Sequence, residues 1–220
     1  MPIKQNCARR GCKDVFNASL VSSSIYEGLL DYPVIKPNKS IPNRLIAFSK
    51  AISSQDYDQW VHFFEDDCHF ERIWRSPKKY LPMLRRFNGI ILPDFSVYRD
   101  MPLVMQLWNI YRSRAIGAGH QANGGDTIAN IRYGDWRTLS FCCDGVPKHS
   151  AIAVGTHGTL RDKEDRFHFV EGLDVIGCKL EPSNIVVYGS APDCIFDRYR
   201  EQGIGIISFE SDIAKAHRMR

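Results

Sequence analysis

The chain is expected to be an α/β domain: about seven mainly parallel strands alternating with helices, closed or nearly closed into a βα barrel. An open doubly wound sheet is the alternative. Three observations predict this. Short β-rich apolar runs recur at residues 44–49, 60–66, 89–94, 127–132, 151–157, 184–188 and 203–210, and each ends on a polar or charged residue. Helical patterns separate most of them, and such alternation favours parallel strands joined by right-handed crossovers. The chain of 220 residues, 44% hydrophobic and 11% aromatic, can fill one sizeable core.

Residues 1–43 carry Pro33, Pro37, Pro42 and a serine run at 22–24, so they read as an arm or cap with at most one helical turn. The α/β domain is placed at 44–211 and a basic tail at 212–220, with Lys215, Arg218 and Arg220. Within the domain, 69–74 and 78–87 read as helical, broken at Pro77 and bent near Pro82. Pro102 opens an amphipathic helix through Val104, Leu107, Trp108 and Tyr111 to about Ile116, and the glycines of 117–126 predict a loop. Helices follow at 165–180 and 193–201. The connections 50–59 and 136–150 are short for helical crossovers, so one antiparallel neighbour is plausible there.

A net charge of +4 is only mildly basic, but its distribution is uneven. Arg72, Arg75, Lys78, Lys79, Arg85 and Arg86 face a single acid, Glu71, and are interleaved with Phe70, Trp74, Tyr80 and Phe87. Cations on phosphates with bases stacked on aromatics would suit nucleic acid; the blander alternative is an amphipathic helix pair with its aromatics in the core. Seven cysteines without framework spacing, and no signal-peptide pattern, predict free thiols in a reducing cytoplasm. No apolar run reaches the roughly 20 residues of a membrane span.

In parallel α/β folds the site lies at the carboxyl ends of the strands. Those ends supply Asp94, His157 and Glu210 as candidate acids and bases. Lys50 and Arg132 are candidate anion holders, and Thr156, Tyr188 and Ser190 candidate substrate contacts. Polar residues also surface at strand ends for purely structural reasons. Glu65, Asp66 and Asp67 with Asp94 could hold Mg²⁺, although neighbours on a strand point to opposite faces and a solvated turn is favoured. Gly155-Thr156-His157-Gly158-Thr159 presents its histidine in a tight turn. Cys7, Cys12, Cys68 and His69 lack the second ligand pair of a zinc site, and Cys142 and Cys143 read as buried structural thiols. No phosphate-binding P-loop, dinucleotide fingerprint, nucleophile elbow or His-Glu-x-x-His is present.

Several separated motifs carry a resemblance: Phe70-Glu71-Arg72-Ile73-Trp74 with Pro77 and Tyr80; Pro93-Asp94-Phe95-Ser96 with Tyr98, Met101 and Pro102; and Trp108-Asn109-Ile110-Tyr111-Arg112-Ser113-Arg114. Residues 141–147, the glycine-histidine turn and Val187-Tyr188-Gly189 complete it. Together they resemble an uncharacterised domain-of-unknown-function family of phages, plasmids and integrative elements, over roughly residues 30–210. The resemblance brings no activity; it implies a mobile-element protein whose partners are nucleic acid or a host-defence protein. Two hypotheses follow. One is an enzyme acting on a phosphate-bearing substrate, a nucleotide or nucleic acid; the other is a non-catalytic nucleic-acid-binding or host-defence-blocking protein.

Overall fold

Strand after strand is laid down beside its predecessor. The computed structural model describes residues 13–218. A 3-10 turn, Ala18–Val21, and a two-residue hairpin, β1 (Tyr26–Glu27) with β2 (Tyr32–Pro33), precede the main sheet. Then come β3 (Leu45–Ala47), α1 (Phe48–Ala51), β4 (Trp60–His62), α2 (Asp67–Phe70), α3 (Arg72–Arg75), α4 (Pro77–Leu84) and β5 (Gly89–Ile91). The chain continues through α5 (Leu103–Ala122), β6 (Thr127–Asn130), α6 (Trp136–Leu139), β7 (Ala151–Gly155), α7 (Lys163–Leu180), β8 (Asn184–Tyr188), α8 (Asp193–Glu201), β9 (Gly205–Phe209) and α9 (Asp212–Arg218).

The seven strands β3 to β9 pair in chain order and every ladder is parallel. Among the described residues β9 does not pair back to β3, so the barrel expectation gives way to an open sheet curled into a half-barrel. Its strand order advances one neighbour at a time rather than reversing. The antiparallel neighbour is also corrected. A parallel crossover needs a packed apolar anchor more than a long helix. In the first short connection one helical turn supplies it, with Phe48 fully buried and stacked on Phe63 at 4.9 Å. In the second, Phe141, Cys142, Cys143 and Val146 are buried after α6.

The period of two along each strand divides the core. Val61, Ile90, Leu92, Ile131, Ile152, Val154, Ile185 and Val187 belong to the cluster under the helices. Trp60, Ile91, Ile128, Ala151, Ala153 and Val186 form a second cluster on the concave face, with Leu45, Phe64 and Phe209 packed against it. Gly89 leaves room there for the neighbouring Trp60, whose ring lies 2.5 Å from where a β-carbon would stand. Gly89→Ala is therefore expected to cost about 1–3 kcal/mol of stability, measured by urea unfolding.

α5 departs furthest from its predicted form. It runs through the expected loop to Ala122, because Gly117 and Gly119 serve close packing: β-carbons would lie 2.6 Å from Leu92 and 2.7 Å from Leu20. Its apolar stripe faces the core only in part, Leu107 and Tyr111 packing against it and Ile116 buried in it. Val104 is 70% exposed and Trp108 38%, while Gln106, Asn109, Arg112, Ser113 and Arg114 are buried. The loop after β5 takes three of these side chains, while Arg112 pairs with Glu71 and Arg114 reaches carbonyls at the end of β6 and after α6. Gln106 donates to the Met101 carbonyl at 2.7 Å, Asn109 to that of Ser96 at 2.6 Å, and Ser113 to that of Pro93 at 2.8 Å. The 3-10 turn and β2 lie along the same helix, with the Tyr32 hydroxyl donating to the Leu107 carbonyl at 3.1 Å. The helices break as expected at Ser76 and Pro77, and Pro77 opens α4, since a helix needs no N–H donor at its first position. No helix of the described residues is long and apolar enough to cross a membrane.

Candidate functional site

Six strands deliver side chains to one cavity of about 750 Å³ at their carboxyl ends. Phe64 to His69 come from the segment after β4, Asp94 and Ser96 from after β5, and Arg132 from after β6. Gly155 and His157, Tyr188, and Ser211 with Asp212 follow β7, β8 and β9. Tyr188 stacks on Phe64 at 4.7 Å and 8°, and the buried His62 lies 4.5 Å from Tyr188. These rings meet across the concave face because the sheet curls. A β-carbon on Gly155 would stand 3.2 Å from the Phe64 ring, so the absence of a side chain there admits the stack.

Two polar sets face each other. Asp94 accepts a hydrogen bond from Asn130 Nδ2 at 2.7 Å and lies 3.6 Å from the Arg132 guanidinium. Asn130 Oδ1 and Arg132 Nε are buried with no hydrogen-bond partner. Opposite, the His157 ring Nδ1 is 3.1 Å from Ser211 Oγ, which also accepts the Ala214 N–H at 3.3 Å. Assigning the hydroxyl proton to Nδ1 places the neutral imidazole's own proton on Nε2.

Beneath these, His62 Nδ1 accepts the Phe64 N–H at 3.2 Å. Burial pushes the His62 imidazole down to about 4, against the opposing pull of Asp212, so it is neutral at pH 7. The Tyr188 hydroxyl accepts the Asp212 N–H at 3.0 Å, and burial raises this phenol to about 12. Burial alone would raise the Asp212 carboxyl, but its bond to Lys50 and the charges of Lys50 and Lys215 hold it below its ordinary value.

Of the candidates read from the sequence, the fold brings Asp94, Arg132, His157 and Tyr188 together. The others lie outside the cavity lining. Glu210 follows the inward Phe209, so it faces away and pairs with Arg218 at 3.2 Å. Thr156 is buried and donates to the Ser190 carbonyl at 2.7 Å; Ser190 itself is exposed. Lys50 sits in α1 and reaches the site only through its ion pair with Asp212.

The acid cluster is divided among separate partners. Glu65 accepts from the Ser49 N–H and hydroxyl, and Asp67 from the Ser96 hydroxyl at 2.9 Å. No three His, Cys, Asp or Glu side chains among the described residues group as a metal site. Cys7 and Cys12 lie outside the described residues, and Cys142 and Cys143 are buried with their sulfurs 3.9 Å apart.

Sequence reasoning missed His62, Asn130, Ser211 and Asp212. A histidine inside the apolar run 60–66 was the available signal for the first, and a domain boundary drawn at 211 hid the last. In the basic stretch all six cations are exposed and Phe70, Trp74, Tyr80 and Phe87 are buried, which is the amphipathic alternative read from the sequence. Amphipathic packing sends those four rings to the core.

A second cavity of about 850 Å³ adjoins the first and shares Tyr98, Arg132, Gly155 and His157 with it. It opens towards α7 through Asp165, His168 and Phe169.

The family model of the domain of unknown function DUF4417 matches residues 24–210. The chain belongs to the DUF4417 family. Among its relatives is the gene 1 protein of Mycobacterium phage D29, 33% identical over 190 residues that cover 82% of this chain and 67% of the relative. The gene 1 protein of Mycobacterium phage L5 is 34% identical over 187 residues, covering 82% and 80%. No solved structure matches. The DUF4417 match takes in Asp94, Arg132, His157 and Tyr188 and ends just before Ser211 and Asp212.

Proposed function

We propose that this DUF4417 protein is an enzyme that binds a phosphate-bearing substrate of nucleotide size at the strand ends. Arg132 anchors the phosphate, Asp94 serves as base or cation ligand, and His157 donates a proton through Nε2. The observation that carries this reading is the Asp94–Arg132 pair facing His157 in one cavity of about 750 Å³, within the usual range for small-molecule sites. An unpartnered buried Arg132 Nε supports it, because such a donor costs roughly 1–3 kcal/mol that a ligand oxygen would offset. Glu65, Asp66, Asp67 and Asp212 line the same cavity and would repel a bare phosphate. A divalent cation carried by the substrate and held by one or two of these carboxylates removes that repulsion, as is usual for Mg²⁺.

Thermal unfolding against a panel of nucleotides with and without Mg²⁺ tests it. At about 100 times Kd a ligand adds about 2.7 kcal/mol, roughly 5–10 °C for a chain of this size. The stabilisation is expected only with Mg²⁺ and is lost in Asp94→Asn and Arg132→Gln. Equal shifts in both variants, or none with any nucleotide, would sink the reading.

A further inference from the structure

We propose that the outer face of α3 and α4, together with Trp108 of α5, binds single-stranded nucleic acid. Electrostatics is the first argument. Arg72, Arg75, Lys78, Lys79, Arg85 and Arg86 are all exposed, and among the described residues none of them forms an ion pair with a carboxylate. Elsewhere on this surface several cations are matched, as Arg44 with Asp56, Arg198 with Asp174, and Arg200 with Asp193 and Asp197, and the unpaired ones, such as Lys36, Lys39 and Arg161, are not gathered six to one stretch. The one acid within the stretch gives no relief, since Glu71 is bound by Arg112 of α5 at 2.8 Å. Six exposed charges along α3, α4 and the residues just after α4, Lys78 among them near the Asp14 carboxylate, repel one another, and a polyanion relieves that repulsion.

The second argument selects the polyanion. Trp74 lies between Arg72 and Arg75 in the sequence of α3, and Trp108 meets its buried ring edge-on at 5.3 Å. Trp108 also stacks on Tyr111 at 5.5 Å and remains 38% exposed. A large, braced and partly exposed indole beside phosphate-binding cations is what an unpaired base can stack on. A duplex keeps its bases paired and an acidic polypeptide has none to offer. The surface is built from α3, α4 and α5, and none of its residues lines either cavity, so it stands independently of the proposed enzyme site.

The test is fluorescence anisotropy of a labelled oligodeoxythymidylate of roughly 20 nucleotides, titrated with the full chain from about 50 to about 200 mM salt. If four cations contact phosphates, the slope of log K against log salt is about −3. Replacing Arg72, Arg75, Lys78 and Lys79 together by glutamine is expected to weaken binding by roughly tenfold or more and to flatten that slope. Trp108→Leu is expected to weaken binding roughly 5- to 100-fold at an unchanged slope. Circular dichroism melting of each variant reports folding, and the milder Lys78→Gln, Lys79→Gln pair replaces the quadruple variant should the latter unfold. Wild-type affinity in a folded charge variant would overturn the proposal. Equal competition by polyglutamate would reassign the face to an acidic protein, and a duplex bound as tightly, with Trp108→Leu silent, would overturn the single-strand assignment.

Discussion

Arg114→Ala is expected to lower the unfolding free energy by roughly 3–5 kcal/mol, the range seen when a buried charged group is removed and its partners are left unpaired. Arg114 is 1% exposed, and no carboxylate pairs with it among the described residues. Its guanidinium donates instead to three main-chain carbonyls: Cys142 at 2.8 Å, Asn130 at 3.2 Å and Asp144 at 3.3 Å. Burial pushes its pKa down from the usual arginine value. One α5 side chain thus ties the end of β6 to the turns after α6, and stands in for a longer crossover between β6 and β7. Alanine would strand three carbonyls and leave a void; Arg114→Met keeps much of the volume and should cost less. Urea unfolding of both variants checks this. A loss below about 1 kcal/mol for alanine would mean that water satisfies the carbonyls in place of the guanidinium.

The same residue explains why some of this architecture was hidden in the sequence. Trp108 to Arg114 reads as part of an amphipathic helix with Trp108 and Tyr111 on its apolar stripe, yet Trp108 is exposed and Asn109, Arg112, Ser113 and Arg114 are buried. Periodicity reports which side chains avoid water, not which polar side chains find carbonyl partners across 13 to 30 positions of chain, as Asn109, Ser113 and Arg114 do. The strands were legible because each apolar run is short and bounded, and their parallel order followed from the helices between them. Closure was not legible: seven strands can curl without the two edges pairing, and that depends on tilt and stagger that no run of residues encodes by itself. At the site the period of two decides. It turned Asp94, Arg132, His157 and Tyr188 towards the cavity and Glu210 away, and a single register position separates Glu210 from Ser211, which does line it.

Acid should destabilise this protein well before its carboxylates titrate, because two buried histidines are held neutral. Burial lowers both His62 and His120 to about 4 from the ordinary 6.5. His120 lies at the end of α5 with neither ring nitrogen hydrogen-bonded, its Nε2 2.1 Å from where a β-carbon on Gly125 would stand. A histidine whose folded pKa is depressed takes its proton more readily when unfolded. The unfolded chain therefore binds the extra protons as pH falls from about 6.5 to about 4, and stability present at neutral pH is lost over that window. A shift of this size corresponds to roughly 3 kcal/mol for each histidine across the whole window, and most of it is gone by pH 4.5. Below about 4 both rings are charged in either state and the histidine contribution stops changing. His120→Leu isolates one half: it removes the orphaned nitrogens without opening a void, so stability at pH 7 should hold or rise while the acid slope falls by about half. Urea midpoints at intervals from pH 7.5 to 4.5 measure both. A wild-type midpoint that stays flat, or a slope unchanged in His120→Leu, would mean that these rings are protonated or hydrated in the folded protein.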